Sequence, residues 1–247
     1  MDTKNVIAAI SLSAAVIILY SLFFAPSPNE LKKIDEQKSS LSSEAPKLEE
    51  SEKIVELSRD QALKESNRVE FENQNIKGSI SLMGGTIDDL IFKNYTETLD
   101  GKNKITLLNP KKYSEGYFVE TGWVSSSKNI ELPSSNTSWK VEGNNKLTPG
   151  NPVTLVWNNN QGISFKKKIK IDEKFLFSID QIITNQSEKS YDFYAYGQII
   201  RNKSPEVTNF YILHEGLIGV FNDQLVEKDY DDIEEKEFSQ KAETGWL

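Results

Sequence analysis

The sequence contains no cysteine, and this absence excludes several kinds of chemistry. A disulfide scaffold, a thiolate nucleophile and a cysteine-ligated zinc site all need a residue that the 247-residue chain lacks. A lipid anchor attached to an N-terminal cysteine is excluded for the same reason. The fold must therefore form without any covalent crosslink between cysteines.

Histidine and arginine are nearly absent as well. The single histidine, His214, stands beside Glu215, and we interpret it as structural because general bases and metal sites are usually built from several such partners. Only Arg59, Arg68 and Arg201 are arginines among 29 basic residues, and the net charge is -8. Nucleic-acid binding needs a basic surface and forked arginine side chains, so the sequence predicts no nucleic-acid partner.

The chain contains no Walker motif, no GxSxG motif and no HExxH motif. The acidic pair Asp88 and Asp89 consists of neighbours, whose side chains would point to opposite faces of a strand; the same holds for Asp231 and Asp232. The charged run 231–237 is interpreted as a solvated loop or edge, because calcium needs spaced oxygen ligands. We predict a protein that is not an enzyme, with no catalytic, cofactor-binding or metal-binding residues and no cofactor.

The N-terminus contains a long apolar run. No charged residue lies between Asn5 and Asn29, and residues 6–24 are apolar apart from hydroxyl groups. As a helix this run would span about 28 Å, close to the ~30 Å hydrocarbon core of a bilayer. A cleaved signal peptide has a shorter run and small residues before its cut site, which Phe23 and Pro26 do not provide. We predict an uncleaved transmembrane anchor helix over residues 1–25.

Residues 26–67 have the composition of a disordered, charged linker. They are rich in Ser, Glu and Lys and contain no aromatic residue, so they bury too little apolar surface to offset their ordering entropy. A partner-binding helix over residues 47–65 stays open as an alternative. Lysines flank both ends of the apolar run, with more on the linker side, so the positive-inside rule alone leaves the orientation of the anchor open.

From Arg68 onward the apolar residues alternate with polar ones. Period-two alternation with turns at short intervals is typical of antiparallel strands, and we predict that residues 68–247 form one large, all-β antiparallel β-sandwich. The residues that share a face within each predicted strand are Ile76, Gly78, Ile80 and Leu82; Val153, Leu155 and Trp157; Ile163, Phe165, Ile169 and Ile171; and Phe175, Phe177, Ile179 and Ile183.

The aromatic residues leave a second function open. Trp157 alternates in phase with Val153 and Leu155, which predicts a core position. Tyr194 and Tyr196 fall on the face opposite Phe193, so they line either a second buried face or an exposed ligand platform. With Trp123, Trp139 and Trp246, they keep a signal-anchored carbohydrate-binding module as the alternative function.

Several segments resemble a known family. KGSISLMGGTIDDLIFKNY (77–95), YFVETGW (117–123), LTPGNPVTLVWNNNQGISF (147–165), YILHEGLIGVFND (211–223) and TGWL (244–247) occur in the same order in the periplasmic domain of the bacterial membrane-protein insertase family YidC. The opening MDTKNVIAAI is similar to the first transmembrane helix of that family. The resemblance covers the anchor and nearly all of residues 68–247.

The resemblance implies a sandwich of supersandwich-like, mutarotase-like outline, in the periplasm, on an inner-membrane anchor whose N-terminus is cytoplasmic. It implies a chaperone-like role in inserting inner-membrane proteins, with or without the Sec translocon, whose subunits, nascent membrane proteins and membrane lipid are the expected partners. A mutarotase-like active site depends on paired histidines, so the single His214 argues against that activity. The sequence stops at Leu247, where the family continues into its insertase core, so we expect an N-terminal part that supplies anchor, scaffold and partner contacts.

Overall fold

The computed structural model describes residues 57–99, 101–205 and 214–247. The predicted anchor, 1–25, and most of the predicted linker lie outside these residues. Within the described ranges, no helix is both long enough and apolar enough to cross a bilayer.

Strands make up most of the described chain, with two short helices, α1 (Arg59–Lys64) and α2 (Tyr230–Glu235). The strands are β1 (Arg68–Glu72), β2 (Ile76–Ser81), β3 (Thr86–Thr96), β4 (Lys104–Leu108), β5 (Tyr117–Ser125), β6 (Lys140–Glu142), β7 (Lys146–Leu147), β8 (Val153–Asn158), β9 (Ile163–Ile171), β10 (Phe177–Asn185), β11 (Phe193–Arg201), β12 (Gly216–Phe221), β13 (Gln224–Asp229) and β14 (Gly245–Trp246).

Two of the sheets form the sandwich. The larger has the order β11-β5-β3-β2-β1-β7, with β4 also paired to β3, and the smaller has the order β10-β9-β8-β6. The strand pairs within them are antiparallel, apart from the short parallel pairing of β1 with β7. The predicted all-β antiparallel sandwich is therefore confirmed.

The core lies between these two sheets, and its residues come from the alternating positions of both. Rings from the two sheets meet edge to face, as Phe71 of β1 does with Phe177 of β10 at 5.1 Å between centroids. The predicted inner faces of β2, β8 and β9 are confirmed by their buried aliphatic residues. The predicted face of β10 is only partly buried, and Phe175, which precedes the strand, is 48% exposed. The buried core consists of Val69, Phe71, Ile76, Ile80, Ile87, Leu90, Leu108, Trp123, Trp139, Leu147, Val153, Leu155, Ile163, Phe165, Ile169 and Ile171.

The C-terminal part differs from the predicted single sandwich. Strands β13, β12 and β14 form a separate three-stranded sheet in that order. The charged run 231–237, expected as a loop or edge, mostly belongs to helix α2. Asp231 and Asp232 lie in its first turn, where acidic side chains interact favourably with the helix dipole.

The end of the predicted linker also differs from expectation. Residues 57–67 are ordered against the larger sheet: Leu57 bridges to Tyr113, and α1 begins with a capping box between Ser58 and Gln61. Composition alone misses this, because the ordering comes from contacts with residues far along the chain. The rest of the linker prediction, 26–56, falls on residues that are not described.

Candidate functional site

The largest buried polar side chain belongs to Lys167, on the inner face of β9. Its neighbours on that face, Phe165 and Ile169, are core residues, yet Lys167 is only 1% exposed. A buried ammonium group needs hydrogen-bond partners, because an unpaired charge in the interior is costly. The surroundings of Lys167 are therefore a candidate functional site.

The partners of Lys167 are backbone carbonyls of the opposite sheet. Its Nζ donates to the carbonyl oxygens of Gly84 at 3.1 Å, Gly85 at 3.3 Å and Thr121 at 2.6 Å. Both glycines have positive φ angles, 75° and 63°, and a Cβ on Gly85 would lie 3.1 Å from Nζ. The glycine turn between β2 and β3 thus brings two carbonyls to the ammonium, and all three Nζ protons are used.

Burial changes the acid–base behaviour of this group. Desolvation lowers the pKa of Lys167 to about 8, and the buried Glu120 opposes that shift by favouring the charged form. No carboxylate among the described residues forms an ion pair with Lys167. Hydrogen bonds to carbonyls, rather than a salt bridge, therefore hold this ammonium in place.

Glu120 on β5 is in turn held by Tyr196 on β11. The Tyr196 hydroxyl donates to Oε1 of Glu120 at 3.3 Å. Burial, and next the Glu120 charge, raise the pKa of Tyr196 to about 12, so the hydroxyl keeps its proton. The ring lies over Gly122, where a Cβ would come within 2.6 Å of the hydroxyl oxygen.

Trp139 closes the inner end of the site. The Lys167 ammonium lies 4.9 Å from the centroid of its ring, a cation–π distance. The indole Nε1 is buried and has no hydrogen-bond partner among the described residues. A narrow recess beside it has no room for a water-sized molecule; its lining includes Pro133, Ser134, Trp139, Lys167, Glu120 and Tyr196.

This arrangement is suited to connecting the sheets rather than to catalysis. The Lys167 protons are engaged, the Tyr196 hydroxyl donates to Glu120 and the recess is too narrow for a water-sized molecule. A nucleophile or general base needs a free group within reach of a substrate. The cluster instead joins β9 of the smaller sheet to β5, and to the β2–β3 turn, of the larger one.

The aromatic residues singled out in the sequence divide into three environments. Trp123 and Trp139 are buried in the core, and Trp157 is partly buried against it, 5.7 Å from the Phe165 ring. Tyr196 packs at the recess, whereas Tyr194 is 55% exposed and Trp246 is 60% exposed. The structure therefore does not bring Tyr194, Tyr196 and the tryptophans together into one ligand platform.

The positions of Asp88 and Asp89 differ from the expectation that their side chains point to opposite faces of a strand. The β2–β3 register shifts between Ser79 and Ile80, so Asp88 is the extra residue of a β-bulge, and both carboxylates are buried. Asp88 forms an ion pair with Arg68 and Asp89 accepts from Ser79 Oγ at 2.6 Å, while Arg68 Nε donates to the same Ser79 Oγ at 2.8 Å. The bulge thus joins two neighbours in one polar network, contrary to the strict alternation of a regular strand.

The electrostatics of this bulge are those of a structural ion pair. Burial raises the pKa of Asp88, and the charge and hydrogen bond of Arg68 act in the opposite direction. The sequence did contain a sign of the bulge. Ile87 and Leu90, both in the core, are three residues apart, which period-two alternation does not allow.

The remaining candidate from the sequence is His214. Its Nδ1 lies 2.8 Å from Oδ1 of Asp229, at the end of β13, and its Nε2 is buried without a hydrogen-bond partner among the described residues. No group of three or more potential metal ligands comes together in the part of the chain that the structure describes.

Sequence reasoning missed Lys167, although a signal was present. The run Lys166–Lys167–Lys168 reads as a solvated stretch, but the alternation of Ile163, Phe165, Ile169 and Ile171 places Lys167 in phase with the core. A charged residue at an inward position of a strand marks a buried polar site.

Replacing Tyr196 by phenylalanine tests the recess. We expect the free energy of unfolding to fall by about 1–2 kcal/mol, because the buried Glu120 carboxylate loses its hydroxyl donor. Tyr194→Phe on the same strand is the matched control, and it should change stability by less than about 0.5 kcal/mol because Tyr194 is exposed. Urea unfolding curves of the two variants measure the difference, and equal losses would contradict the Glu120 contact.

Together the fold and the cluster define a large antiparallel β-sandwich whose buried polar groups are used to join its sheets. Residues 68–247 match the family model described as the YidC periplasmic domain. The chain therefore belongs to the YidC family, as the resemblance predicted.

Curated relatives agree with this assignment. A membrane protein insertase YidC from Pelagibacter ubique (strain HTCC1062) is 54% identical over 100% of this chain and 45% of its own length. Insertases of the same name from Mesorhizobium japonicum and Brucella melitensis biotype 1 are 40% and 41% identical, covering 76% and 77% of this chain and 32% of their own lengths. The chain thus spans less than half the length of these relatives. The carbohydrate-binding alternative receives no support from the comparisons.

Proposed function

We propose that this chain is the N-terminal part of a membrane-protein insertase and supplies its membrane anchor, its periplasmic scaffold and contacts to partners. The observation that carries the proposal is the 54% identity to an insertase across the whole chain, the apolar run 6–24 included. Membrane-protein insertion is the function named for the relatives. We assign this function to the chain on the basis of that similarity.

The role of the sandwich within such a protein is structural. Its buried polar cluster around Lys167 has its donors engaged and its recess too narrow for a water-sized molecule, which favours a rigid scaffold over a catalyst. We propose that the domain acts without a covalent reaction of its own and without a cofactor.

The proposed topology has the N-terminus in the cytoplasm, residues 6–24 in the inner membrane and the sandwich in the periplasm. The uncharged length of the run supports a membrane span, and the description of the matching family, a periplasmic domain, supports the periplasmic side. The proposed partners are the Sec translocon with its accessory subunits, nascent membrane proteins, and lipid around the anchor.

The insertion path itself is proposed to lie in the part of the relatives that this chain does not cover. A membrane segment carrying polar groups needs a polar surface inside the bilayer, because each unsatisfied polar group there costs several kcal/mol. Several helices are needed to wall such a groove. The single run 6–24 has hydroxyl groups as its most polar side chains near the centre.

Complementation tests this division of labour. Residues 1–247, expressed in a strain depleted of its own insertase, should give no rescue of growth and no insertion of a small two-span substrate. A chimera that joins residues 1–247 to the uncovered remainder of the Pelagibacter ubique relative should restore both.

The outcomes separate the parts of the proposal. Rescue by residues 1–247 alone would mean that the insertion path lies in this chain. Failure of a stably expressed, membrane-integrated chimera would mean that the chain does not serve as the N-terminal part of an insertase. Immunoblots of membrane fractions provide the expression control for both arms.

A further inference from the structure

Residues 57–67, which we call the mount, form the last part of the predicted linker and lead into strand β1. Their only helix, α1, has six residues, and a helix this short does not persist in water by itself. The mount must therefore be held in place by its contacts with the sandwich.

The central contact is made by Arg59. Its Nη2 forms a charge-assisted hydrogen bond and ion pair with Oδ1 of Asp89 on β3, and its Nε donates to Oδ1 of Asn109 at 2.8 Å. Asp89 is buried in the bulge of β3, and its other oxygen accepts from Ser79. Arg59 thus ties the mount to the centre of the larger sheet and to the segment after β4.

Weaker contacts hold the two ends of the mount. At its start, the Leu57 amide donates to the Lys112 carbonyl at 3.3 Å. At its end, Leu82 donates to the Asn67 carbonyl at 2.8 Å. An exposed ion pair, Lys112 to Glu65 at 2.8 Å, adds little because solvent screens it. The Arg59–Asp89 pair is largely buried, so it is the ion pair of the mount that solvent screens least.

We propose that residues 57–67 fix the point at which the linker leaves the sandwich, and that Arg59 is the positioning residue that holds this mount closed. The inference rests on the proposed function, because it takes the linker to connect the sandwich to an anchor in the bilayer. With the mount closed, the linker leaves at Leu57, beside Tyr113. If it opened, 11 further residues would join the linker and add up to about 36 Å of reach when extended. The closed mount thus limits how far the sandwich can move from the membrane.

Hydrogen exchange on the 247-residue chain in lipid nanodiscs tests the mount directly. In Arg59→Gln, amides of residues 57–67 should exchange at least tenfold faster than in the wild type, while those of β8 and β9 stay unchanged. Asp89→Asn should give the same local increase, because it removes the charge that Arg59 pairs with. Lys112→Gln is the matched control and should change exchange of the mount by less than twofold.

A second experiment measures the distance between the start of the linker and the sandwich. Since the chain has no cysteine, Ser27→Cys and Ser178→Cys provide the only two sites for spin labels, and Ser178 is exposed. Arg59→Gln should broaden the distance distribution between the labels and extend it to longer values, and Lys112→Gln should not.

Unchanged exchange at 57–67 in both Arg59→Gln and Asp89→Asn would overturn the proposal. So would faster exchange spread equally over β8 and β9, since Arg59 would then support the whole fold. An opened mount with an unchanged distance distribution would overturn the positioning role. None of these readouts depends on insertase activity, so they fail or succeed separately from the proposed function.

Discussion

Replacing Phe165 by alanine is expected to lower the free energy of unfolding by about 4 kcal/mol, in the range found for buried aromatic truncations. Phe165 is 0% exposed. Its ring contacts Trp123 at 5.2 Å, Trp157 at 5.7 Å and Phe193 at 5.7 Å between centroids. These partners belong to both sheets, so the cavity left by the ring would lie between them and could not be filled by the movement of one side chain.

Urea unfolding of residues 53–247, which carry every described strand, measures this loss by circular dichroism. Trp157→Ala is the comparison, since Trp157 faces Phe165 across the β8–β9 pair but is only partly buried. It should cost about 2 kcal/mol, less than a full aromatic truncation. A loss below about 1 kcal/mol for Phe165→Ala would contradict a tightly packed centre.

Replacing Lys167 by methionine should cost about 3 kcal/mol at pH 7, although it removes a buried charge. Methionine fills a similar volume but cannot donate to the carbonyls of Gly84, Gly85 and Thr121, and unsatisfied buried acceptors are costly. The buried Glu120 would also lose its nearby positive charge. A Lys167→Met variant as stable as the wild type would mean that the carbonyls find other donors.

The difference in stability between the wild type and Lys167→Met should depend on pH, and the sign of this dependence follows from the pKa of Lys167. Burial lowers the pKa in the folded state to about 8, so between about pH 8 and 10.4 the unfolded chain binds more protons at this site. Stability from this group therefore rises as the pH increases through that window. At pH 10 the advantage of the wild type over Lys167→Met should exceed its value at pH 7 by about 2 kcal/mol.

Subtracting the free energy of unfolding of Lys167→Met from that of the wild type cancels the contributions of the other lysines and tyrosines, because those groups titrate in both proteins. A constant difference from pH 7 to pH 10 would show that Lys167 ionises as it does in the unfolded chain. A difference that shrinks with pH would reverse the sign and contradict the desolvation of the ammonium.

The alternation of residues predicted the inner faces of β2, β8 and β9 correctly, but placed the exposed Phe175 on an inner face. Ile76 and Ile80 of β2, and Val153 and Leu155 of β8, are buried as their spacing indicates. This information is local, because a strand turns successive side chains to opposite faces wherever it lies in the chain. Family membership could also be predicted, since the motifs that carry it are contiguous segments.

The polar contacts could not be predicted in the same way. Asp88 and Asp89 share a network because the β2–β3 register shifts at Ser79, and Arg59 is ordered because Asp89 and Asn109 lie beside it. Each contact joins residues 10 or more positions apart; Arg59 and Asp89, for example, are 30 positions apart. Composition described residues 57–67 as linker because it counts residue types and does not include distant partners.

The sequence by itself determined the all-β class, the inward residues of the main strands and the family. Those properties follow from the period of the backbone and from contiguous motifs. Only the tertiary structure decided that Lys167 joins the two sheets, that the recess beside Trp139 is too narrow for a water-sized molecule and that residues 57–67 are fixed to β3. The physical reason is that a buried charge or donor takes its environment from whichever backbone carbonyls and carboxylates packing brings to it. Strand order and register set those neighbours.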